Sequence, residues 1–201
     1  MSRLLIAAAS ILCFASTNHA QTLSQGERDR AMSELHATRK AFLDLVGAAS
    51  PSQLNFKPAP EVWSVMEIAE HVTMSEPFLA KLASSGLGKS ADPEKLAQTK
   101  GKDQSVLTGL ADRTKKAQAP SLLQPKAAFK SRDAVIAAFR ASRDANIAYL
   151  RDTKDPLRAC VIDAGGSPMD CYQVYLMIAA HTQRHVSQMK EVMANPGFPK
   201  K

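Results

Sequence analysis

The sequence predicts an all-α protein, a four-helix bundle with a long crossover connection between its second and third long helices. Three observations carry this. Four long stretches place apolar residues at helical rather than alternating spacing. Three of those stretches open on a capping signal. Between the second and third lie roughly 40 residues without periodicity, rich in Gly, Ser, Lys, Gln and Asp.

The first helix opens on the capping box Ser24-Gln25-Gly26-Glu27, carries Ala31, Leu35, Phe42, Leu45 and Val46 on one stripe, and stops at Gly47 and Pro51. His36 lies at the boundary of that stripe with the charged face. A proline-rich connector follows and ends in the only tryptophan, Trp63, which is expected to plug the end of the bundle. Ser64-Val65-Met66-Glu67 is a second capping box, and the helix after it runs through Ile68, His71, Val72, Ser75, Phe78 and Leu79 on one stripe, with His71 on the buried side. Pro77 is expected to kink this helix or mark its last full turn. Within the crossover, short helices are expected over residues 92–98 and 105–117. The third long helix runs from about Ser131 to Arg151 and buries Val135, Ile136, Phe139, Ile147 and Leu150, with Asn146 as the polar residue on the same stripe. Ser167 as N-cap and Pro168 at the first helical position predict the start of the fourth. It aligns Val174, Ile178, His181, Thr182, His185 and Met189 and ends at Asn195-Pro196-Gly197.

The first twenty residues read as an export leader: Arg3, the uncharged apolar run Leu4–Ala15, then a polar stretch to Ala20, where cleavage is expected. The run is too short for a permanent anchor, and bulky Leu12 before Cys13 argues against lipidation. Residues 21–201 then form one domain, expected in the periplasm or secreted, with no stable membrane insertion. Cys13 leaves with the leader, so Cys160 and Cys171 remain, flanking a glycine-containing loop. A disulfide between them suits an oxidising compartment; two free thiols are the alternative. The net charge of +7 falls to +6 without Arg3, and the excess is concentrated between Lys89 and Arg132. That segment lacks the interleaved aromatics that stack bases, which excludes nucleic acid as the expected partner.

His181 and His185 stand four residues apart on a helix, so both imidazoles project from one face. Thr182 stands where the zincin pattern needs glutamate, so that peptidase motif is absent. The pair lies on an apolar stripe, where imidazole nitrogens need partners, and His71 lies on the inner stripe of another helix. Spacing alone leaves two readings open: one shared metal ion, or ordinary hydrogen-bonded core histidines.

In the segments Trp63–Val72 (WSVMEIAEHV), His181–Met189 (HTQRHVSQM) and Asn195–Pro199 (NPGFP), and in helix order, the chain resembles the DinB-like (YfiT-like) metalloproteins. The resemblance spans essentially the whole mature chain. It implies a four-helix bundle with a long second connection and a divalent ion held by His71, His181 and His185, and family members commonly dimerise through helix faces. Three nitrogen ligands leave an open position, the arrangement of catalytic rather than structural zinc. Zinc and nickel both suit such a donor set. For catalytic helpers the candidates are Glu67, one turn before His71, which either orients that ring or acts as general base or serves only its cap, and Arg184, which faces either an anionic substrate or solvent. Glu70 is expected on the surface; Tyr149 and Tyr175 cannot be ranked. The family includes thiol-dependent transferases and isomerases, so a metal-dependent hydrolase or transferase acting on a small molecule is expected. The alternatives are a non-catalytic metal-binding or interaction module of the envelope and a protein docking to anionic surfaces through residues 89–132.

Overall fold

The computed structural model describes residues 22–115, 118–164 and 166–200; the leader read at residues 1–20 lies outside them. Four long helices dominate: α1 (Gln25–Ala48), α3 (Val65–Ser84), α6 (Arg132–Asp152) and α7 (Cys171–Met193). Three short ones, α2 (Pro51–Asn55), α4 (Pro93–Thr99) and α5 (Asp103–Ala111), lie in the connections. Both expected capping boxes are present, Ser24 with Glu27 and Ser64 with Glu67. Each joins a side-chain oxygen to an orphan N–H at the helix start.

The helices alternate around a square. α1 packs between α6 and α7, and so does α3. One half of the core joins the start of α1 (Ala31, Leu35) to the end of α3 (Leu79, Ala83), the end of α6 (Ile147, Leu150) and the start of α7 (Val174, Ile178). The other half joins Phe42 and Val46 to Val65, Ile68, Val135, Phe139, Val186 and Met189. Hence α1 and α7 run one way and α3 and α6 the other. Two consecutive long helices, α3 and α6, are therefore parallel, and the chain between them must travel back along the whole bundle. That is the physical reason for the long crossover.

A buried polar layer separates the two apolar halves, and all four long helices contribute to it. The Arg143 guanidinium donates to both oxygens of Glu76, at 2.5 and 3.0 Å, to the Leu35 carbonyl at 2.7 Å, and to the hydroxyls of Thr38 and Thr182 at 2.8 and 2.7 Å. Asn146 donates to the same carboxylate at 3.1 Å. Arg143 is fully buried and Glu76 nearly so, yet every polar arm meets a partner.

Several local expectations are corrected. Pro77 lies inside α3 on its exposed side, and the helix continues through it to Ser84; Phe78, expected on the apolar stripe, shares that exposed side with 39% of its surface open. The connector after α1 forms α2, with its own capping box of Ser50 and Gln53 and Pro51 at the first position. α5 ends at Ala111 rather than Ala117. The fourth long helix starts at Cys171, capped by Asp170 with Gln173, and not at Ser167. Pro168–Asp170 instead forms strand β2, antiparallel to β1 (Val161–Asp163). The box Asp170-Cys171-Tyr172-Gln173 satisfies more backbone donors than Ser167 with Pro168, and the hairpin absorbs the residues before it. A disulfide joins Cys160 to Cys171 across this hairpin.

Arg158, in the loop after α6, ties three helix starts together. Its guanidinium bonds Glu27 at 2.7 Å, Asp103 at 2.6 and 2.9 Å, and Asp170 at 2.8 Å, and lies 4.0 Å over the Tyr172 ring. The crossover is thereby fixed to α1 and α7.

Candidate metal centre

α3 and α7 are antiparallel neighbours, so His71 in the first half of one comes level with His181 at the middle and His185 in the second half of the other. His71 and His185 are buried and His181 is half-buried. The Nε2 atom of His181 stands 3.2 Å from Nε2 of His71 and 3.2 Å from Nε2 of His185. One nitrogen from each ring lies within 4.8 Å of the other two.

The remaining nitrogens decide what this convergence can do. Nδ1 of His71 faces the Leu123 carbonyl at 2.8 Å, and a carbonyl can only accept, so the proton sits on Nδ1. Nδ1 of His185 donates in the same way to Oε1 of Gln188 at 2.7 Å. Both Nε2 atoms are therefore bare lone pairs pointing at a common centre, where a shared cation suits them better than one another. Nitrogens about 2.0–2.1 Å from a tetrahedral ion stand about 3.3 Å apart, and the two shortest separations here match that spacing. Burial lowers the pKa of all three rings, with the neighbouring imidazoles adding to it for His181 and His185 and the Leu123 hydrogen bond opposing it for His71. His185 is brought down to about 3. All three are neutral near pH 7, the form that ligates a metal.

Three comparisons bear on this geometry. The sequence profile of the DinB superfamily matches residues 34–189. The chain belongs to the DinB superfamily. Among solved structures it is similar to YfiT from Bacillus subtilis, described as a probable metal-dependent hydrolase with an unusual four-helix bundle topology. That likeness has a TM-score of 0.59 at 14% identity and covers 89% of this chain and 92% of that one. At such identity it shows the fold, in agreement with the bundle expected from sequence. No curated protein matches significantly.

In this DinB-superfamily chain the other residues singled out from sequence serve elsewhere. Glu67 accepts from the Ser64 backbone N–H at 2.7 Å and from Lys57 at 3.0 Å, so both its oxygens are engaged at the cap. Arg184 is buried rather than solvated. It donates to the carbonyls of Leu110, Asp112 and Lys115 and pins the crossover against α7. Glu70, expected on the surface, is also buried and accepts backbone N–H groups of Lys126 and Ala128. Asn146 belongs to the polar layer. Tyr149 stacks on Tyr175 and donates to Asp155. His36 is exposed, as its boundary position implied.

Sequence reasoning missed the residues that hold the rings. Gln188 had a signal, being three residues after His185 on the same helix. Leu123 had none, because its contribution is a backbone carbonyl delivered by tertiary folding. Trp63 packs beside the centre, its ring 5.1 Å from that of His71. A groove of about 940 Å³ opens nearby, lined by Leu54, Met66, Glu70, Lys126 and Phe129 among others, but none of the three imidazoles lines it.

Proposed function

We propose that this protein is a divalent-metal-dependent hydrolase acting on a small molecule, with His71, His181 and His185 as the ligands. The single observation that carries the reading is the convergence of three Nε2 atoms, two of them fixed as bare lone pairs by hydrogen bonds on the opposite side of their rings. A divalent ion held by three imidazoles keeps a coordination position open, supplying a Lewis acid and a water of lowered pKa. Zinc and nickel both suit the nitrogen donors.

The chain's own residues do the rest. Leu123 and Gln188 fix the tautomers, Trp63 walls one side, and the crossover pinned by Arg184 covers the outer end of α7. The description of YfiT as a probable metal-dependent hydrolase supports this class of activity. Export, read from the leader, favours water over thiol cosubstrates, because low-molecular-weight thiols are chiefly cytosolic.

One observation favours a second reading. Glu67, Glu70 and Glu76 are all engaged in structural hydrogen bonds, which leaves none of them as an evident general base. A metal-binding module without catalysis fits that arrangement. The two readings part on a substrate panel. Metal-loaded protein is expected to hydrolyse at least one member of an ester, lactone and amide series, with activity lost in His181→Ala. Thiol transfer without hydrolysis would reassign the reaction, and inertness toward both would favour the non-catalytic module.

A further inference from the structure

After a single 3-10 turn at Ser121–Leu123, the chain crosses α3 as a strap, and two consecutive residues of α3 hold it down. His71 donates from Nδ1 to the Leu123 carbonyl at 2.8 Å. A few residues later the N–H groups of Lys126 and Ala128 both donate to one oxygen of Glu70, at 2.7 and 3.0 Å. Ala127, between them, has φ of 56° and is the one non-glycine residue with positive φ among the described residues. An L-residue adopts the left-handed region only at a cost. Here that conformation turns the flanking N–H groups toward a common point, the kind of backbone concavity that receives an anionic group. Glu70 fills it, and with 2% of its surface exposed it has little access to water. Ala127 itself is exposed, so packing of its own side chain does not account for the strain.

We infer that Glu70 is a positioning residue for the metal centre. By fixing the backbone at residues 126–128 it holds the Leu123 carbonyl against His71, which keeps the proton on Nδ1 and leaves Nε2 bare toward His181 and His185. The inference rests on the metal reading only for its consequence in affinity; the tautomer of His71 is a property of the metal-free protein.

The test uses the full mature chain and two variants, Glu70→Ala and Glu70→Gln. Glutamine keeps an oxygen that can accept both N–H groups; alanine keeps none. Imidazole nitrogen NMR of the metal-free protein is expected to show a single Nδ1–H tautomer for His71 in wild type and in Glu70→Gln, and a tautomer mixture in Glu70→Ala. Zinc affinity, measured by chelator competition, is expected to fall about 10-fold in Glu70→Ala and stay near wild type in Glu70→Gln. A general loss of stability would not move the tautomer. Should Glu70→Ala fail to fold, Ala128→Pro removes one donor from an exposed position and disfavours the Ala127 conformation, and the same tautomer mixture is expected. A single Nδ1–H tautomer with undiminished affinity in the unanchored variant would overturn the inference, and so would Glu70→Gln behaving like Glu70→Ala. If wild type bound no zinc, the proposed function would fail, and the tautomer result would still decide the role of Glu70.

Discussion

His71, His181 and His185 each give up more by burial than an ordinary core residue would, because the protonated form of each ring is disfavoured inside the bundle. Their folded-state pKa values lie below the value of about 6.5 expected in the unfolded chain. As the pH falls, the unfolded chain therefore takes up protons first, and stability falls with pH wherever it does. The stabilising contribution is complete above pH 6.5 and is lost between there and the folded-state values, about 3 for His185. Thermal melts of metal-free protein should show Tm declining steadily from pH 7 to pH 5, a window above most carboxylate titrations. His181→Asn should flatten that slope, and a slope unchanged by the substitution would contradict the burial argument. The three converging imidazoles were legible from sequence because helical spacing and apolar neighbours mark a ring that faces the bundle interior. Leu123, Arg143 and Glu76 were not legible, since a backbone carbonyl has no residue signature and a buried ion pair has the same letters as a surface one.

Among the elements, the four long helices were readable from their own residues: capping boxes and apolar stripes are local, and local signals survive folding. The start of α7 was misplaced because two caps competed within a few residues, and the one able to satisfy donors reciprocally, Asp170 with Gln173, won. The crossover shows the opposite behaviour. Its order comes from distant residues, Arg158 on Asp103 and Arg184 on the carbonyls of Leu110, Asp112 and Lys115, and no local pattern announces that. Hydrogen bonds to a charged group contribute roughly 1.5–3 kcal/mol each. Arg184→Met should therefore accelerate amide hydrogen exchange in residues 103–115 by about 10-fold or more while the middle of α7 stays protected. Uniform acceleration along the chain would mean that Arg184 stabilises the whole bundle rather than this segment.

For the molecule as a whole, the polar layer of Arg143, Glu76, Asn146, Thr38 and Thr182 sits where all four long helices meet. Such a layer need not add net stability, since desolvating both charges offsets much of their attraction, but breaking it leaves one charge buried alone. Arg143→Met should cost about 3–5 kcal/mol in denaturant unfolding. The double variant Arg143→Met with Glu76→Leu should recover much of that loss, and a double variant as unstable as the single one would show that packing rather than charge is at stake. The layer lies beside His181 through Thr182, so the two helices that carry the imidazoles are locked in register by the same residues. Parallel α1 with α7 and parallel α3 with α6 is the arrangement that allows this, bringing the beginning of α3 against the end of α7.

Metal content measures the convergence of the imidazoles directly. The purified protein, loaded with zinc or nickel and dialysed, should retain one ion per chain by elemental analysis. His71→Ala, His181→Ala and His185→Ala should each retain well under one while keeping wild-type helical circular dichroism. Stoichiometric metal in any of the three folded variants, or none in wild type, would contradict a centre built by those residues.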